Sequence, residues 1–149
     1  MAEAFKLTKA YIQHVFAPLE DINDVEGRKS FFSETADQNI TWKVAGSAHS
    51  LAGTRHSLEA HEEATFHRLS KRLSTPIRIT ITAVIVNAEP SEDGWWASIE
   101  LRGEANKTSG GVYSNENVWL TRWNDKGKIV EIRSWFDFVL TEQLLSQES

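Results

Sequence analysis

The stretch WWASIELRGE, residues 95–104, holds the first pair of side chains that could do chemistry. Glu100 and Arg102 are two apart, and residues two apart on a strand share a face. A carboxylate in an apolar pocket loses solvation, which raises its pKa toward the range useful for proton transfer at neutral pH. Arg102 would oppose that shift, hold Glu100 ionised and bind a developing oxyanion. The same two residues would equally make a solvated salt bridge along a strand. His56 is a candidate second proton carrier, because imidazole titrates at about pH 6.5; the plain reading is an exposed residue at the start of a helix. Asn115 and Asn117 offer amides able to orient a carbonyl or hydroxyl. Trp42, Trp96 and Trp119 are candidate pocket walls, suited to a bulky apolar ligand, while other tryptophans serve the core or an interface. His61 and His67 lie in HEEATFH, but Thr65 stands where the zinc motif HExxH needs its second histidine, so no metal is expected. His14, on the first helix, faces either the pocket or an interface. No GxGxxG, P-loop or GxSxG is present, so no cofactor is expected.

The elements that must position these residues are readable from periodicity. Leu7, Tyr11 and Val15 recur at helical spacing over 5–16, with Pro18 as the stop. A short helix over 24–35 opens at Asp24, and residues 40–44 alternate as a strand. SAHSLAGTRH reads as a loop, and Ser57 caps a third helix running to about Leu73. After Pro76, strands are predicted over 77–86, 95–104, 112–123 and 129–138, with a short helix over 141–145. Helices followed by four consecutive strands give an α+β class, with helices over one face of a curved antiparallel sheet.

The 149 residues fit a single domain, 1–149. The chain has no cysteine, which removes disulfides and thiol chemistry. MAEAFKLTKAYIQHVF has no long apolar run, so neither a signal peptide nor a membrane span is expected, a cytoplasmic setting fits, and the sequons at Asn39 and Asn106 are expected to be unused. A net charge of −5 argues against nucleic acid or an anionic membrane as partner.

Several short pieces together carry a family resemblance: Asp37 and Trp42; Leu51-Ala52-Gly53-Thr54; Ile99-Glu100-Leu101; Tyr113-Ser114-Asn115 leading to Trp119 and Arg122; Gly127-Lys128-Ile129; and Arg133-Ser134-Trp135-Phe136-Asp137. In this order the chain resembles the SnoaL-like branch of the nuclear-transport-factor-2-like, or ketosteroid-isomerase-like, superfamily over nearly its whole length. The resemblance implies a cone-shaped α+β barrel with one deep apolar pocket, usually dimeric, and enzymes that often act on polyketides or terpenoids. Similarity to limonene-type epoxide hydrolases implies that Trp42, Glu100, Arg102, Asn117 and Ser134 face inward, with Asp137 on the opposite face beside Arg133. The polar set departs from that family, which flanks an arginine with two aspartates; Ser134 and Trp42 replace expected polar ligands of the water. It departs from ketosteroid isomerase too, since Tyr11 and Tyr113 are the only tyrosines. Asn117 stands where SnoaL-like chains commonly carry an aromatic.

The resulting expectation is a cofactor-independent isomerase, cyclase or dehydratase of secondary metabolism, working by acid–base catalysis on a small apolar polyketide- or terpenoid-like substrate. Glu100, His56 and Arg102 form the catalytic set; Trp42, Trp96, Asn115, Asn117, Trp119, Ser134 and Phe136 bind substrate. A homodimer is expected because the apolar strand face with Ile99 and Leu101 must be covered. An epoxide hydrolase and a non-catalytic binding or assembly module are the alternatives.

Overall fold

Thr8 starts the first helix, α1 (Lys9–Glu20): its hydroxyl accepts from the Tyr11 N–H at 3.0 Å, satisfying one of the free donors at the helix start. The structure, a computed structural model, describes residues 4–147. Ile12, Phe16 and Leu19 recur on one side of α1 and are fully buried. Pro18 was expected to stop this helix and instead lies in its last turn. The proline ring removes one helical N–H bond there, and the burial of Leu19 holds the extra turn in place. Asp24 caps α2 (Val25–Ser30) by accepting from the Gly27 N–H at 2.9 Å, and the helix widens into a π-helical turn over Phe31–Thr35.

Six strands follow: β1 (Ala36–Val44), β2 (Gly53–Arg55), β3 (Arg78–Val86), β4 (Trp95–Asn106), β5 (Val112–Trp123) and β6 (Ile129–Phe136). They form one sheet in the order β2-β1-β6-β5-β4-β3. The predicted meander of the last four strands is present, with β1 added parallel to β6 and the short β2 closing that edge. Register shifts between Ile81 and Ala83 and between Arg122 and Trp123 bend the strands. The sheet curves without closing, since β2 and β3 stay at opposite edges. The class is α+β, as expected.

The predicted third helix is two helices, α3 (Leu58–Ala64) and α4 (Phe66–Ser70), broken at Thr65 with φ −129° and ψ −80°. The Thr65 hydroxyl donates to the His61 carbonyl at 2.7 Å, the back-bond through which threonine competes with the helix ladder. The last helix, α5 (Phe138–Leu145), begins earlier than expected because Asp137 caps it, accepting from Val139 and Leu140 N–H groups at 2.9 and 3.3 Å.

The helices cover the sheet face that carries Ile99, Leu101, Trp119, Trp123 and Ile132. Ile99 and Leu101 were expected to need a second copy of the chain. They are 0% and 3% exposed within one copy, so that argument for a dimer falls. At the far turn, the Tyr11 hydroxyl donates to the Gly127 carbonyl at 2.9 Å, and Gly127 itself takes φ +76°, a conformation open to glycine.

Candidate functional site

Cross-strand pairing decides which side chains share a face. Leu101 pairs with Asn117, Asn117 with Phe136, and Trp119 with Ser134, so these residues lie together on the helix-covered side. Between them and α3–α4 lies a cavity of about 60 Å³. Trp42, Asn115, Asn117, Trp119, Ser134 and Phe136, all candidate binding residues, line it. Gly103 lines it as well, and its missing side chain is part of why the space exists: a Cβ there would come within 3.2 Å of Ile77 Cγ2.

The polar lining has distinct roles. Asn115 is 2% exposed and grips the Asp137 peptide from both sides: its Oδ1 accepts from the Asp137 N–H and its Nδ2 donates to the Asp137 carbonyl, each at 3.1 Å. The same Nδ2 reaches the hydroxyls of Tyr113 and Thr141 at 3.0 and 3.2 Å. Its bonding capacity is therefore spent on fastening α5 to β5, not on orienting a ligand. Asn117 donates to the Asn115 backbone carbonyl at 3.1 Å, and its side-chain oxygen has no partner among the described residues. Ser134 donates to the Lys43 carbonyl at 3.2 Å and receives the Trp42 indole N–H at 3.3 Å.

His61 is the functional candidate that the sequence reading passed over. It is 2% exposed, lines the cavity and lies flat on Trp42, with ring centroids 3.8 Å apart and planes 8° from parallel. Its Nε2 is 3.2 Å from the Thr65 hydroxyl. That hydroxyl has one proton and spends it on the His61 carbonyl, so Nε2 carries the hydrogen and Thr65 accepts it. Nδ1 is then a bare lone pair, and it is the one buried side-chain polar atom without a partner among the described residues. Burial, with the Arg55 charge behind it, lowers the His61 pKa to about 3, so the ring is neutral. The signal was available: Leu58, His61, Thr65 and Leu69 follow helical spacing and all four are buried, with Thr65 facing His61 in the place of a second metal-binding histidine. His67, by contrast, is exposed and sits 3.8 Å from Glu62.

The expected catalytic set lies elsewhere. Glu100 pairs with Val118, so it projects from the opposite face of the sheet, where it is exposed. Arg102 is on that outer face too, bonded to Glu116 at 3.0 Å and not to Glu100. Trp96 is a third correction: its ring lies under Arg133 and Arg122, at 5.1 and 5.9 Å, and its N–H donates to Asp93. His56 is exposed ahead of α3, and His14 is exposed on α1. Asp137 caps α5, and Arg133 bonds Glu131 at 2.8 Å instead. The physical reason is parity. An inward Asn117 requires an inward Leu101 across the β4–β5 hairpin, and Glu100 and Arg102 must then point out.

No protein-family model matches the chain, and no curated protein matches it in sequence. Solved structures do. An NTF2-like protein of unknown function from Burkholderia pseudomallei K96243 superposes with a TM-score of 0.63 at 15% identity, over 93% of this chain and 96% of that one. A candidate isomerase from Bacillus subtilis gives 0.62 at 16% identity, covering 93% and 92% of the two chains. SalBIII, an epoxide hydrolase/cyclase-like enzyme with a role in pyran ring formation in the polyether salinomycin, gives 0.59 at 15% identity, covering 88% and 91%. With an open six-stranded sheet, helices on one face and a cavity beneath them, this chain has the nuclear-transport-factor-2-like fold that the sequence resemblance implied.

Proposed function

We propose that the protein is an isomerase or cyclase for a mostly apolar, hydroxyl-bearing molecule of polyketide or terpenoid kind, with His61 as the proton-accepting group. The carrying observation is the unpartnered Nδ1 of a buried imidazole on the cavity wall. Leaving such an acceptor unpaired costs about 1–3 kcal/mol, which a ligand hydroxyl would recover. A base with a pKa of about 3 does not ionise a free alcohol. It does take the proton from an oxygen whose bond to carbon is already forming, because that oxygen has become strongly acidic. In ring closure the hydroxyl oxygen forms the new C–O bond while an epoxide C–O bond opens. The hydroxyl proton passes to Nδ1, then from His61 to the opened oxygen, so substrate and product are isomers. The lone oxygen of the Asn117 amide and the indoles of Trp42 and Trp119 would orient the reacting chain.

The kinds of protein that share the fold support this reading, as one is a candidate isomerase and one is tied to ring formation. A binding module is the second reading, favoured because no carboxylate among the described residues lines the cavity. A homodimer belongs to the proposal on new grounds: Ile85 and Trp135 stand 68% and 46% exposed on the outer sheet face, and sedimentation would test it.

The test is epoxylinalool turnover in heavy-oxygen water. The expected product is an unlabelled cyclic ether, lost in His61→Ala and retained in Glu100→Gln. A labelled diol would make the protein an epoxide hydrolase. Binding without turnover, unchanged in His61→Ala, would make it a binding module.

A further inference from the structure

The cavity beside His61 is too small for the class of substrate proposed above. At about 60 Å³ it falls short of the roughly 150 Å³ that benzene fills in an engineered protein cavity. Directly outside it runs a groove of about 720 Å³ between α2, α3–α4 and β3. The two spaces share three wall residues, Phe66, Ile77 and Ile79. Ile79 lies in β3, paired with Gly103, and Ile77 directly precedes that strand, so both are held by the sheet edge. Phe66 is held differently. It opens the five-residue α4 directly after the break at Thr65, and it meets Trp42, Phe32 and His61 edge-on at 6.0, 6.0 and 5.3 Å. It is the wall with a helix break beside it and aromatic rings on both sides.

The outer groove is not evenly polar. Arg28 and Lys29 line it, and among the described residues no carboxylate lies within ion-pair distance of either. Arg28 is anchored by two backbone carbonyls, Leu19 at 2.7 Å and Ile77 at 2.5 Å, which position its charge without neutralising it. Asp21 and Asp24 act on it only at longer range. Among the described residues Glu62 is the one carboxylate on the groove wall; it faces His67, and burial holds its pKa above the ordinary value.

We infer that cavity and groove are one binding site partitioned by the Phe66 ring, and that its substrate is an elongated carboxylic acid: the apolar end passes Phe66 to reach His61, and the acid end rests at Arg28 and Lys29. This rests on the isomerase or cyclase reading for what happens at His61, but the binding mode is testable without turnover. The experiment is calorimetric titration of the intact chain with decanoic acid and with decanol, below their aggregation concentrations. Decanoate is expected to bind about tenfold more tightly than decanol, and Lys29→Glu to erase that preference. Phe66→Trp should weaken both ligands about tenfold or more, and Phe66→Ala should strengthen them. His61→Asn should abolish ring closure and leave the preference for decanoate over decanol in place, since Arg28 and Lys29 set that preference. Equal affinities for acid and alcohol, or an unchanged Lys29→Glu preference, overturn the acid end. Unchanged binding in both Phe66 variants overturns the partition. No ring closure by the wild-type chain, or ring closure retained in His61→Asn, with the binding pattern intact sinks only the catalytic reading.

Discussion

The two faces of one sheet, built from the same strands, hold opposite chemistry. The outer face carries an exposed Glu100 and, joined into exposed or partly exposed ion pairs, Arg102, Glu116, Arg122, Glu131 and Arg133. The inner face carries two amides and a serine hydroxyl among tryptophans, and one neutral imidazole faces it from α3. Most of the charge lies where it is worth little, and the few polar groups under the helices lie where each is worth much. Density of titratable residues is therefore a poor guide to this site; burial of a single unpaired atom is the better one.

The contrast can be broken by substitution. Trp123 is fully buried beside Phe16 and Tyr11, and Trp123→Ala should cost about 3–5 kcal/mol in chemical denaturation. A cost near 1 kcal/mol would mean that the inner face collapses easily. Asn115→Ala strands the Asp137 peptide and two hydroxyls, and should cost about 2–3 kcal/mol with early exchange of amides in α5.

The third prediction is a pH dependence. His61 has a folded pKa near 3, below its ordinary 6.5, so the unfolded chain binds the proton more readily between those values. Stability from this group is complete above about pH 6.5 and is lost as pH falls through the window toward 3. Between pH 6.5 and about 5 the wild-type chain should lose about 2 kcal/mol more than His61→Leu; parallel pH curves would show that His61 is not buried neutral. The smallest effect belongs outside: Arg102→Ala removes a pair whose side chains are 42% and 82% exposed, and should shift stability by no more than about 0.5 kcal/mol.

Much of this was legible in the sequence. The strand Arg78–Val86, predicted over 77–86, the hairpin turns predicted at 89–94 and 124–127, and the order of helices before the four-strand meander were readable because alternation and turn chemistry are local. The assignment of faces failed because it was taken strand by strand from a resemblance. The hairpin over residues 107–111 fixes Leu101 against Asn117, and applying that one register would have turned Glu100 outward. The break at Thr65 was hidden because a hydroxyl's bond to its own helix leaves no mark in the apolar pattern. The role of Asn115 was unreadable for a related reason: its partner is the peptide of residue 137, twenty-two positions away.

Gly103 leaves room in β4 that any other residue would take up. The hollow beneath the helices exists partly because one strand position offers no carbon beyond the main chain. A single added methyl there would press on Ile77, which also borders the outer groove, and would shrink the room beside His61 from the sheet side. Among kindred chains, the residue at this one position would sort those with an open chamber from those that have filled theirs in.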